Sequence, residues 1–190
     1  MDSHNETCIL ELFHSTFYMS INHISSWNKA LISPLVNTSI QPEQNIAIYD
    51  VHVPTTKQIS KEYPNIQISK SIPDAITNSD LIVMAVKPQN VCKVYEEITK
   101  AGNENNGIRS DATVLSIIAG KPISSFVNGT GIQKIARSMP NTPAQIGQGV
   151  TVWCCTSNID LEERERIDKI LCSFGKSWVM LHQLSHLGTM

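Results

Sequence analysis

The sequence predicts an α/β fold, a doubly wound and mostly parallel sheet, on three observations. Two continuous apolar runs, DLIVMAV (Asp80 to Val86) and ATVLSIIAG (Ala112 to Gly120), match strands buried on both faces. From about residue 45 onward, short strand-like runs alternate with helical ones, the rhythm of βαβ units. The 190 residues, 41% of them hydrophobic, suffice for one sizeable core.

The elements follow in order. The first 40 residues are irregular, and FYMSIN (Phe17 to Asn22) reads as a poor strand. NIAIYD (Asn45 to Asp50) is a short apolar strand closed by an acid, and a helix follows Pro54. NIQIS (Asn65 to Ser69) is strand-like, and Pro73 opens a short helix, where its missing N–H costs nothing. After the Asp80 strand, Val91, Val94, Tyr95 and Ile98 fall on one face of a helix. A loop over Ala101–Asp111 precedes the strand from Ala112, and PISSFVNG is a short helix ending at Gly129. IQKIARSMP and GVTVWCCT (Gly149 to Thr156) read as strands. Asp160 to Gly175 is an amphipathic helix, Asp160 its N-cap and Gly175 its C′ residue, and SWVML (Ser177 to Leu181) is a last strand.

Composition narrows the function. A net charge of −2 gives no broad basic face for nucleic acid or an anionic membrane, so neither is expected as a partner. No apolar run approaches membrane-spanning length. The N-terminus has no signal-peptide pattern, and its acids argue against a transit peptide, so the cytoplasm is the expected compartment. The five cysteines (8, 92, 154, 155 and 172) have no zinc spacing, which predicts reduced thiols and no metal. None of the histidines stands beside a nucleophile at a telling spacing, so no catalytic side chain is assigned.

In such sheets ligands bind at the carboxyl ends of the strands, and three ends stand out. Asp50 either binds ribose hydroxyls or caps a turn. Lys87, between Ala85-Val86 and Pro88, either meets a phosphate or snorkels to water. The small residues around Ala119-Gly120 either admit a flat ring or make a turn. A fourth feature is IARSMPNTPAQIGQGVTVWC (Ile135 to Cys154). Met139-Pro140-Asn141-Thr142-Pro143 is either a rigid polar clamp on a ligand or a proline-stiffened loop.

Taken in order, DLIVMAVKPQNV, VLSIIAGKPISSF and ARSMPNTPAQIGQGVTVW, followed by an amphipathic helix and FGKSWVM, resemble the pyrroline-5-carboxylate reductase family. The resemblance covers roughly residues 28–180, and the MPNTP block with its downstream glycines is its most specific part. It implies a Rossmann-like domain that binds NADP or NAD and reduces 1-pyrroline-5-carboxylate, a small-molecule substrate, to L-proline. Carried over residue by residue, Asp50, Ala85, Val86, Lys87, Pro88, Ile117, Ile118 and Ala119 line the cofactor, with Ile117 and Ile118 standing where the family has smaller residues. Met139, Asn141, Thr142 and Pro143 shape the substrate pocket. An acid at position 50 repels a 2′-phosphate and favours NADH.

The sequence departs from the family twice. No glycine precedes Gly102, and His23, Ile24 and Ser25 stand where the G-x-G turn cradles the pyrophosphate, so the first βα unit is incomplete. The family's helical domain, through which it homo-oligomerises, has no counterpart, and exposed apolar surface is the expected result. The expected organisation is a divergent segment 1–27, a dinucleotide-binding domain 28–182 and a truncated tail 183–190. Two readings follow: a reductase with little activity as this chain alone, or a non-catalytic remnant or interaction protein on the same fold.

Overall fold

The computed structural model describes residues 16–22, 25–103 and 108–180, with side chains from residue 31 onward except at 103 and 145. The strands are β1 (Thr16–Asn22), β2 (Ile46–Tyr49), β3 (Gln67–Ile68), β4 (Ser79–Val86), β5 (Thr113–Ser116), β6 (Lys134–Pro140), β7 (Gly149–Cys155) and β8 (Gly175–Val179). The helices are α1 (Ser25–Asn37), α2 (Val53–Glu62), α3 (Ile72–Ile76), α4 (Val91–Asn103), α5 (Ile123–Thr130) and α6 (Leu161–Cys172). One eight-stranded sheet has the order β3-β2-β1-β4-β5-β6-β7-β8, and every pair is parallel except β6–β7.

Strand alternation sorts the core into two layers. Ile46 and Ile48 of β2, Leu81, Val83 and Ala85 of β4, and Trp153 and Cys155 of β7 point to one face, where they meet Leu31, Ile32 and Leu35 of α1 and Ile167, Ile170 and Leu171 of α6. The alternate residues Ala47, Ile82, Met84, Val86, Val114 and Ile135 point the other way, under α3, α4 and Phe126 of α5. Both faces of the central strands are therefore dry, which is why their sequences read as unbroken apolar runs.

The chain starts at β1, winds outward through β2 and β3, and crosses back to β4 on the far side of β1. The strand order therefore reverses between β1 and β4. Ile21 and Asn22 of β1 lie in register with Ala85 and Val86 of β4.

Several expectations are corrected. FYMSIN is not a poor strand: it lies within β1, at the centre of the sheet, paired on both sides. The dinucleotide-fold domain thus reaches back to Thr16, and a boundary at residue 28 would cut off β1 and the start of α1. The first βα unit has its strand and its helix, and what it lacks is the glycine turn. The rest of segment 1–27 (1–15, 23 and 24) and the tail 183–190 lie outside the described residues.

Gly129 does not end α5. The helix runs to Thr130, and Gly131 takes the left-handed φ of 75° that stops it. Gly129 is needed for packing: a Cβ there would lie 2.2 Å from the Tyr95 ring, which stacks edge-on against Phe126 at 5.8 Å. Asp160 does cap α6, accepting the Glu163 N–H at 2.9 Å. Gly175 is not its C′ residue but the first residue of β8, at φ 136°. A Cβ there would sit 2.1 Å from the Gly149 oxygen, so β7 and β8 meet closely through paired glycines.

Candidate functional site

The four sequence-predicted groups all lie along the carboxyl rim of the parallel strands, on β2, β4, β5 and β6 in turn. Asp50 follows β2 directly and is buried, 6% exposed. Its Oδ1 accepts the His52 amide N–H at 2.8 Å, an Asx turn that leads into α2. His52 Nδ1 pairs with the Thr55 hydroxyl at 2.8 Å across the first turn of that helix. The turn-forming alternative for Asp50 is therefore realised. Neighbouring Tyr49 has its hydroxyl pKa pushed up by burial first, then by the Glu97 and Asp50 charges.

Ala85 and Val86 end β4 and are both buried, level with the end of β1. Lys87 is half-buried and precedes the 3-10 turn Pro88–Asn90, its carbonyl accepting the Asn90 N–H at 2.9 Å. Pro88 fixes the start of that turn, so the backbone leaves the sheet there in one shape.

Beyond β5 the three residues separate. The Ile117 N–H donates to the Met84 carbonyl at 3.1 Å, which ties the β5 exit to β4, and its side chain is partly buried. The Ile118 N–H donates to Ser116 Oγ at 3.1 Å, and its side chain is fully packed in the second core layer. Ala119 is exposed at the rim. Of the two isoleucines that stand where the family has smaller residues, Ile118 thus faces the core, whereas Ile117 is only partly buried.

Met139 to Pro143 form the corner where β6 turns into its antiparallel neighbour β7, and they owe their stiffness to that reversal. The Asn141 side-chain oxygen accepts the Val150 N–H at 2.9 Å, and its carbonyl accepts the Ala144 N–H at 3.0 Å. Gln148 N–H donates to the Pro143 carbonyl at 3.0 Å. Gly149 passes so near Ala144 that a Cβ would meet its Cα at 2.6 Å. The two prolines, Asn141 and the glycine are thus a self-closed corner. Met139 is 41% exposed, and Thr142 and Pro143 are exposed.

Sequence reasoning missed β1, whose end forms one side of the switch point. The signal was present: Phe17, Tyr18 and Ile21 are strong strand formers, but no glycines follow them. Among the described residues no group of three or more His, Cys, Asp or Glu side chains is arranged to hold a metal. No described helix is long and apolar enough to cross a membrane.

For a dinucleotide, the rim offers an acid at the end of β2, a switch point between β1 and β4, and α1 starting three residues after the last of β1. His23 and Ile24 stand between the two in sequence, and Ser25 opens α1. No glycine stands in that stretch, where a G-x-G pattern would admit a pyrophosphate.

The architecture is a Rossmann-like, doubly wound and mostly parallel sheet. The chain is similar to a solved pyrroline-5-carboxylate reductase from Coxiella burnetii, with a TM-score of 0.77 and 18% identity over 89% of this chain and 60% of that one. It is also similar to the Plasmodium falciparum pyrroline carboxylate reductase solved with NADP bound, with a TM-score of 0.69 and 23% identity over 88% of this chain and 58% of that one. No protein-family model matches. In sequence, the Escherichia coli pyrroline-5-carboxylate reductase is 31% identical over 122 residues, 64% of this chain and 43% of that protein. The Glycine max enzyme of the same name is 27% identical over 128 residues, 67% of this chain and 44% of that protein. The chain is thus similar, in sequence and in fold, to pyrroline-5-carboxylate reductases. It spans about half the length of the relatives it matches.

Proposed function

We propose that this chain is the nucleotide-binding part of a reductase that converts 1-pyrroline-5-carboxylate to L-proline with NADH or NADPH. The observation that carries this reading is the succession of rim segments AVKP, IIAG and MPNTP on β4, β5 and β6, in a chain with relatives of that name. A reduced nicotinamide bound there supplies a hydride to the imine carbon, while the imine nitrogen holds its proton and becomes the amine of proline.

The chain's own residues act by position. Asp50 accepts hydrogen bonds from the adenosine ribose and disfavours a 2′-phosphate, so NADH is the preferred form. Ala85, Val86, Lys87 and Pro88 carry the backbone past the cofactor's middle. Ile117 and Ala119 border the ring, and Ile118 supports them from the core. Met139, Asn141, Thr142 and Pro143 bound the substrate space, with Asn141 engaged in holding the corner and Met139 and Thr142 open to solvent.

The missing glycine turn favours a second reading, in which the chain keeps the sheet and has lost the chemistry. Proline formation by the purified chain, with 1-pyrroline-5-carboxylate and either cofactor, separates the two. We expect turnover well below that of an ordinary enzyme, stimulated more by NADH than by NADPH. No proline above the rate without protein would leave the second reading.

A further inference from the structure

The described strands form one open sheet whose two edges are β3 and β8. β3 is two residues long, too short to recruit another strand. β8 runs five residues in unbroken register with β7, with no bulge and no proline to blunt it. The Gly149 N–H donates to the Phe174 carbonyl at 3.0 Å, and the Met180 N–H to the Trp153 carbonyl at 2.7 Å. The even-numbered residues of this stretch therefore turn their backbone groups to β7. Backbone groups alternate in direction along a strand, so Gly175, Ser177 and Val179 turn theirs away from the sheet. The Ser177 N–H lies by the Cys172 thiol, a weak acceptor that a carbonyl outcompetes. Side chains alternate as well. Ser177 faces α6, where its hydroxyl donates to Asp168. Lys176 and Trp178 face the other way and are exposed, Trp178 at 63%.

We propose that β8 is the docking edge for a second copy of this chain, the two β8 strands pairing antiparallel about a two-fold axis at Ser177. That register sets Ser177 against Ser177 and Gly175 against Val179, so that the outward-turned residues become the hydrogen-bonded pairs. Lys176 then falls opposite Trp178 of the second copy, once on each side of the axis. These are the non-hydrogen-bonded positions, where side chains come closest. An ammonium beside an indole ring is attracted to it, and no two like charges stand directly opposite. Gly175, with no side chain, leaves room for Val179 across from it. The edge is thus its own complement in backbone and in side chains, a match that a strand of unrelated sequence has to meet by chance. The other two-fold register, with Trp178 against Trp178, forfeits the Gly175 pairing and sets Lys176 against Met180. A pairing through one short strand buries little area, so the dimer is of the weak, reversible class.

Sedimentation equilibrium of the full chain across the micromolar range reads the association directly, and cooperative melting reports that each variant is folded. The proposal predicts a reversible monomer–dimer equilibrium. Val179→Pro removes an outward N–H that β7 does not use, and should weaken dimerisation about tenfold or more. Trp178→Lys sets an ammonium against an ammonium at both close positions and should weaken it at least as much. Adding Lys176→Glu to that variant places a carboxylate opposite each ammonium and should recover most of the loss. A folded chain that stays monomeric throughout would overturn the proposal, as would a dimer indifferent to Val179→Pro. A double variant that associates no better than Trp178→Lys alone would also overturn it, because only the register centred on Ser177 brings positions 176 and 178 together.

Discussion

Under the proposed function Asp50 serves as turn former and as ribose acceptor, and a single substitution separates the two. Replacing it with Ser removes the charge and keeps a short acceptor for the His52 N–H. We predict that affinity for NADPH gains about tenfold relative to NADH, the effect of about 1.4 kcal/mol from a like-charge contact removed, measured by equilibrium titration of both cofactors. Asn141 is set in the corner rather than free for a ligand. Asn141→Ala should cost about 1 to 2 kcal/mol of stability in urea unfolding, because the Val150 N–H loses its acceptor. Gly175 tolerates less still. Gly175→Ala combines a left-handed φ with a Cβ 2.1 Å from the Gly149 oxygen, and should cost at least about 3 kcal/mol in the same measurement. The sequence made the specialness of Asn141 and of the glycines visible, but not its cause. Proline, amide and glycine spacing is the same whether a corner grips a ligand or itself, and only the hydrogen bonds of Asn141 tell the two apart.

At the scale of elements, α6 is tied to the start of β4 by a cluster of charges. Arg166 pairs with Asp80 and lies 3.6 Å from Glu163, all three largely buried. Burial, foremost, raises the Glu163 carboxyl pKa, and the Asp80 charge adds to it, while Arg166, Lys134 and a hydrogen bond with Thr113 oppose it. A carboxyl whose folded pKa is raised favours folding when protonated, and that contribution is lost as pH rises through the folded value. Glu163→Gln should therefore raise the melting temperature at pH 7, and the gain should vanish once pH falls below the ordinary carboxylate range. A variant equally stabilised at pH 3 and pH 7 would contradict the assignment. The amphipathic pattern of α6 and its Asp160 cap were legible because helix caps and stripes are local signals. This cluster was not, since Asp80 and Arg166 are 86 residues apart in sequence. The same limit explains β1. A strand without a glycine turn after it has only its composition to announce it, and its place at the centre of the sheet comes from pairing with β2 and β4 on either side.

For the whole molecule, the question is what a dinucleotide-fold sheet does when its first turn has lost its glycines. The sheet order, the reversal between β1 and β4 and the rim segments support the proposed nucleotide site, and the apolar runs made most of that order readable in advance. At residues 23–25 the sequence departs from the G-x-G pattern expected of a dinucleotide site. If the rim alone suffices, binding survives with reduced strength and the acid at position 50 selects the cofactor. The most direct measurement is the melting temperature of the purified chain, titrated separately with NADH and NADPH. A ligand at a hundred times its dissociation constant adds about 2.7 kcal/mol to the folded state. The account predicts a saturable upward shift with both cofactors, reached at lower concentration with NADH. A folded, cooperatively melting chain that shifts with neither cofactor would contradict it, and would make the lost glycines decisive.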